Sequence, residues 1–200
     1  ERELDCMTFA ELSLARARAQ VAGTNFEQEV AGLRYPGGTP NGFASRRHYA
    51  SSWIMNAESI HAVSVLFKGD PLAPDTIRTI NYMSTHPAQY VQLAAHPELL
   101  PGIQEQEAAI SRTSFPSVAQ ANLPKVVGRL RPGDFVCLGT GVKGLDYAHW
   151  GMISKVSRND AQFIHASVAK KKVVEERSLI SYVEKRSQCP DLTFLRPWAP

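Results

Sequence analysis

An α+β domain, with its helices first and an antiparallel sheet after them, is what this sequence predicts. Three observations lead there. Capping residues precede helix-spaced apolar runs near the amino end. The character changes near Ser114. Beyond it, short runs rich in Val, Ile and Phe are separated by turn residues.

Residues 5 to about 22 read as a helix opened by Asp5 and closed by Gly23, with Phe9, Leu12, Leu14 and Ala15 on its apolar side. Asn25, with Gln28 three positions on, resembles a capping box for a second helix to about Arg34, burying Phe26, Val30 and Leu33. Residues 35–43 hold three prolines or asparagines and three glycines, a loop composition. Ser45 then reads as the cap of a third helix carrying Arg46, Arg47, His48, Tyr49, Trp53 and Ile54. A strand is expected over 60–67 and extended chain over 76–83. Pro87 starts a helix to about His96, and another runs from Pro97 to Arg112. Residues 35–113 are read as a helical insertion within one domain spanning 1–200. After the Arg131-Pro132-Gly133-Asp134 turn, strands are expected at about 135–138, 148–156, 161–167, 172–175 and 192–196, with a short helix opened by Ser178.

A chain of 200 residues is long enough for one well-packed domain. Its formal charge of +3 is a weak pointer to an acidic partner and gives no reason to expect nucleic acid. No apolar run approaches membrane-spanning length. No initiator Met and no signal-peptide pattern are present, so the chain reads as a processed product. Cys6, Cys137 and Cys189 cannot all pair internally. Cys137 reads as a small core residue in a buried strand, and its pairing with Cys189 stays open.

Cys6 carries the chemistry. Lying just after Asp5, its thiol falls in the first turn of a helix, where free backbone N–H groups and the helix dipole favour a thiolate. Such a thiol is a nucleophile when an imidazole reaches it. His149 and His165 each sit in a strand-like segment, and a second polar group beside the base can hold it in one tautomer. His149 lies eight residues before the 157–160 turn and His165 five after it, so side-by-side rings require an offset or a bulge. A zinc site from the same three residues is the competing reading, but it lacks the closely spaced ligand pairs usual for zinc. A lone strand histidine is also commonly a hydrogen-bonded core residue. His48, His61, His86 and His96 show no obvious partners.

Leu4-Asp5-Cys6-Met7-Thr8-Phe9, Ser45-Arg46-Arg47-His48-Tyr49 with Trp53-Ile54, Gly133-Asp134, Lys143-Gly144-Leu145-Asp146-Tyr147-Ala148-His149-Trp150-Gly151 and His165-Ala166-Ser167 together resemble the N-acetylmuramoyl-L-alanine amidase-like family. This is a branch of the NlpC-type cell-wall cysteine peptidases with a papain-like fold. The blocks occur in the family's order over almost the whole chain. The resemblance implies an exported bacterial amidase, periplasmic or extracellular, that acts on peptidoglycan fragments without a cofactor or metal. It makes Cys6 the nucleophile, His149 the base and His165 its orienting partner. Met7 stands where a small hydroxyl residue is expected, and Trp150 where Val or Ile is expected. The resemblance also leads one to expect a segment ahead of the cysteine that helps wall the cleft, either removed from this chain or not shown in it. Arg46 is then assigned to a substrate carboxylate, Tyr49 and Trp53 to a stacking wall, and Lys143 and Asp146 to the cleft rim. For Trp53 core packing is an equal alternative. A non-catalytic wall-binding module and an acyltransferase using the same thiol are the other functions weighed.

Overall fold

The computed structural model describes residues 5–198. Asp5 accepts a hydrogen bond from the Thr8 N–H at 2.6 Å and opens α1, Cys6–Ala22; Gly23 closes it in the left-handed conformation. Asn25 accepts from the Gln28 N–H at 3.0 Å and opens α2, Phe26–Arg34. The buried Glu11 carboxylate on α1 is paired with Arg34 on α2. α3, Ala50–Ser59, follows a loop, and β1, Val63–Val65, comes next.

The following stretch is a chain of short pieces. It comprises β2 (Asp75–Ile77), α4 (Tyr82–Thr85), α5 (Val91–Ala95), α6 (Leu100–Ile110), β3 (Ser114–Pro116), β4 (Val118–Ala119) and α7 (Leu123–Val126). The longer sheet elements then come in succession: β5 (Phe135–Gly139), β6 (Tyr147–Val156), β7 (Ala161–Ser167) and β8 (Lys172–Glu176), then α8 (Leu179–Glu184) and β9 (Asp191–Pro197). The main sheet runs β1-β9-β5-β6-β7-β8, with β4 also on β9, and all its pairs are antiparallel.

Both faces of this sheet are covered, which is why every residue of β5 is buried. Phe135 and Cys137 face one core with Leu14, Trp53, Ile54 and Trp150, while Val136 and Leu138 face the other with Ile153, Phe163, Leu179 and Phe194. The alternation is the period-two geometry of a strand. A third cluster of Tyr49, Ile80, Met83, Leu93, Ile103 and Ile110 forms under the short helices.

Several local expectations are corrected. Ser45 ends a 3₁₀ turn, Phe43–Ser45, rather than capping a helix, so Arg46 and Tyr49 lie outside α3. Residues 76–83 are strand only to Ile77, and Tyr82 begins a helix. The stretch expected to be one helix from Pro87 to His96 is a 3₁₀ turn, Pro87–Gln89, followed by α5, broken at the extended Tyr90. The strand expected near 192–196 is present as β9, held between β1 and β5. All three cysteines are free, so Cys137 and Cys189 do not pair.

Candidate active site

Cys6 occupies the first position of α1, and its side chain is half-buried against β6. The N–H groups of Met7 and Cys6 at the helix start favour the thiolate, and so does that of Trp150 on β6. Burial outweighs them, and with the Asp5 carboxylate nearby the thiol is raised above its ordinary value. The resting sulfur is therefore protonated at neutral pH, contrary to the expectation of a ready thiolate.

His149 on β6 and His165 on β7 meet edge to face, with His149 Nε2 at 2.7 Å from His165 Nδ1. A β-bulge makes this contact geometrically available. The register passes from Val156↔Ala161 and Lys155↔Gln162 to Ile153↔Phe163, leaving Ser154 as the extra residue. Without it, His149 would share a face with Ala166 and point away from His165. Gly151 lies between them on this face, and a Cβ there would run into the Phe163 ring and lie 2.6 Å from the Ile164 carbonyl oxygen. The glycine thus lets the two strands close beneath the imidazoles.

His165 is 2 % exposed, stacked on Phe163 and beside Tyr182. Its Nε2 faces Glu176 Oε1 on β8 at 3.8 Å. Burial lowers the His165 pKa, and the Glu176 carboxylate works against that. His149 is pushed down to about 4, first by burial, then by His165 and the cation of Arg186. Both rings are neutral near pH 7.

Cys6 and His149 line one cavity of about 170 Å³, together with His48, Tyr49, Asp146 and Trp150 among others. His48 is a site residue that the sequence did not connect with the thiol. Its Nε2 contacts the Phe43 carbonyl oxygen at 2.9 Å, its ring packs on Phe43, and burial lowers its pKa. Among the described residues no three His, Cys, Asp or Glu side chains are grouped as metal ligands, so Cys6, His149 and His165 do not form the zinc cluster considered above.

The other expected site residues are placed as follows. Tyr49 reaches the cavity but is 3 % exposed; its hydroxyl donates to Glu107 at 2.6 Å and accepts from the Met83 N–H at 2.7 Å. Trp53 is 0 % exposed and packs edge-on to Trp150 at 5.2 Å, so it has no surface on which to stack a sugar. That contact also accounts for the large residue at 150. Asp146 is buried rather than on a rim: it accepts from the Ser51 N–H at 2.7 Å and the Tyr147 N–H at 2.8 Å. It thereby supplies the side-chain cap that α3 lacks locally. Lys143 is exposed, and neither it nor Arg46 lines the cavity. Met7 packs partly buried against the core.

A family model described as N-acetylmuramoyl-L-alanine amidase-like matches residues 1–189. An N-acetylmuramoyl-L-alanine amidase from Bacteroides uniformis is similar in structure, with a TM-score of 0.89 at 28% identity, the match covering 98% of this chain and 83% of that one. A Bacteroides fragilis protein provisionally named a xylanase matches at 29% identity and a TM-score of 0.87, over 96% of this chain and 86% of its own. A Legionella pneumophila protein at 18% identity shares the fold, with a TM-score of 0.70 over 98% and 76% of the two chains. No curated protein sequence matches the chain.

Proposed function

The chain belongs to the N-acetylmuramoyl-L-alanine amidase-like family, and from that premise we propose that it is a cysteine amidase that cleaves the bond between the lactyl group of N-acetylmuramic acid and L-alanine in peptidoglycan fragments. Cys6 is the nucleophile, His149 the base and His165 the residue that orients it. The observation that carries this reading is the 2.7 Å contact between His149 and His165 at the wall of the cavity that also holds the Cys6 thiol. The partner is a muropeptide, and the compartment is the periplasm or the cell exterior, where that polymer lies.

The imidazole contact supports one order of protons. His149 uses Nε2 toward His165, which leaves Nδ1 as the nitrogen able to take the thiol proton. Nε2 then carries hydrogen and donates to His165 Nδ1, while His165 Nε2–H faces the Glu176 carboxylate at 3.8 Å, beyond hydrogen-bond reach. The neutral pair favours a proton transfer coupled to attack over a preformed ion pair. The Cys6 sulfur adds to the amide carbonyl as its proton passes to His149. The resulting oxyanion is held by the Cys6 backbone N–H at the helix start, a type of interaction worth about 3–4 kcal/mol per donor. His149 returns the proton to the departing amine, the C–N bond breaks, and the lactyl group stays on sulfur as a thioester. Water, deprotonated by His149, then releases the lactyl carboxylate and restores the thiol.

Incubation with muropeptides, followed by mass spectrometry, tests this reading. Release of an intact stem peptide, abolished by Cys6→Ala, is the expected result. Binding without cleavage by the wild-type protein would make it a wall-binding module instead. Cleavage within the stem would move the scissile bond while keeping the thiol chemistry.

A further inference from the structure

A second cavity, of about 320 Å³, adjoins Ala148 and His149, with Ser167, Tyr182, Arg186 and Gln188 among its lining residues. Ala148 and His149 line both cavities, so a substrate lying across this edge of β6 contacts the two together. Arg186 is the cation of the second cavity. Its guanidinium lies 3.3 Å from the centre of the Tyr182 ring, and its Nη1 donates to the Tyr182 carbonyl at 2.7 Å. The stacking and the hydrogen bond fix the head group at the wall while leaving most of its N–H donors unspent. None of the ion pairs among the described residues includes Arg186. A held, exposed and unpaired guanidinium is suited to two-pronged binding of a carboxylate. Arg46, to which the sequence assigns that task, lines neither cavity.

We propose that Arg186 binds a carboxylate on the peptide portion of the substrate and so sets which stems the site accepts. This rests on the amidase reading and adds a specificity determinant to it. In a muropeptide the free α-carboxylate of the second stem residue is the one nearest the proposed scissile bond and is taken as that group. Amidation of that group removes the charge and keeps the shape. The influence of the Arg186 charge on both His149 and His165 agrees with its position beside the reacting edge.

The test compares two muropeptides that differ only in that carboxylate, free or amidated. Wild-type protein is expected to favour the free acid about tenfold in kcat/KM, mostly through KM. Arg186→Gln should remove the preference, and Arg186→Lys, which keeps the charge without the fork, should retain part of it and serves if the Gln variant fails to fold. No preference in the wild type, or equal losses on both substrates in the variants, overturns the proposal. Calorimetric titration of Cys6→Ala protein with the same two muropeptides separates the two claims. If the wild type cleaves neither substrate, the amidase reading falls, yet tighter binding of the free acid still supports the role of Arg186 and equal binding overturns it.

Discussion

His149 and Tyr49 reach the same cavity, one from the sheet and the other from the segment ahead of α3, and their protons are held on different terms. Burial holds His149 down to about 4, and its ring is bonded at only one nitrogen, through His165 toward Glu176. Burial and the Glu107 carboxylate raise Tyr49 well above the usual phenol range, and its oxygen both donates and accepts. Both are neutral at pH 7, but one has a nitrogen to spare and the other has none. A polar group with unused capacity beside a thiol is placed for proton transfer; one with a closed hydrogen-bond set is placed to hold shape.

The sheet side of this comparison breaks most sharply with His149→Ala. Loss of the proposed base is expected to lower kcat/KM about 10²–10⁴-fold while the melting temperature stays near the wild-type value. Retained activity would remove the sheet wall from the chemistry. The pH dependence sharpens the same point. His149 titrates lower in the folded protein than its ordinary 6.5. Its contribution to stability is therefore complete above pH 6.5 and is lost as pH falls toward about 4, because the unfolded chain takes up the proton first. The acid limb of kcat/KM should fall near that lower value, below which the base is protonated. A limb at 6 or above, in rate measurements on protein shown to be folded, would contradict the buried neutral imidazole. Gly151→Ala comes next. The new Cβ meets the Phe163 ring and the Ile164 carbonyl, costing about 1–3 kcal/mol in chemical denaturation and parting the strands that bring the imidazoles together.

The two regions also differ in how far the sequence announces them. β6, β7 and β8 follow from alternating apolar residues bounded by Ser157–Asp160 and by the Val168–Lys171 turn, and α1 and α2 from Asp5 and Asn25, because each signal is local. The start of α3 is not local: its cap is Asp146, far along the chain, so Ser45 offered a misleading alternative. The proline after His86 opens only a short 3₁₀ turn where composition suggests a longer helix, whereas the one after His96 opens a turn that runs straight into α6, as composition suggests. His149 and His165 could be picked out as residues, and the need for an offset followed from counting, but nothing in the sequence assigned the extra position to Ser154. Glu176, Tyr182 and Arg186 carried no signal, since a charged strand end and a short amphipathic helix look the same whether or not they line a cavity. Trp53 shows the converse: an aromatic at the right distance in sequence is taken up by packing against Trp150.

The smallest expected effect probes the helical side. Tyr49→Phe keeps the ring in its cluster and removes only the hydroxyl, so Glu107 loses one donor and the Met83 N–H is left without its acceptor. Glu107 still receives the Ser84 N–H at 3.0 Å, which limits the damage. Stability should fall by about 1–2 kcal/mol in urea titration, the cost of a buried donor left unpaired. The kcat/KM for muropeptide cleavage should stay close to wild type, because the hydroxyl is fully engaged within the protein and has no proton to exchange with substrate. A large drop in rate with stability unchanged would move Tyr49 to the reacting side of the cavity. The contrast between a sheet wall proposed to handle protons and a helical wall that holds shape would then fail at the residue that defines it.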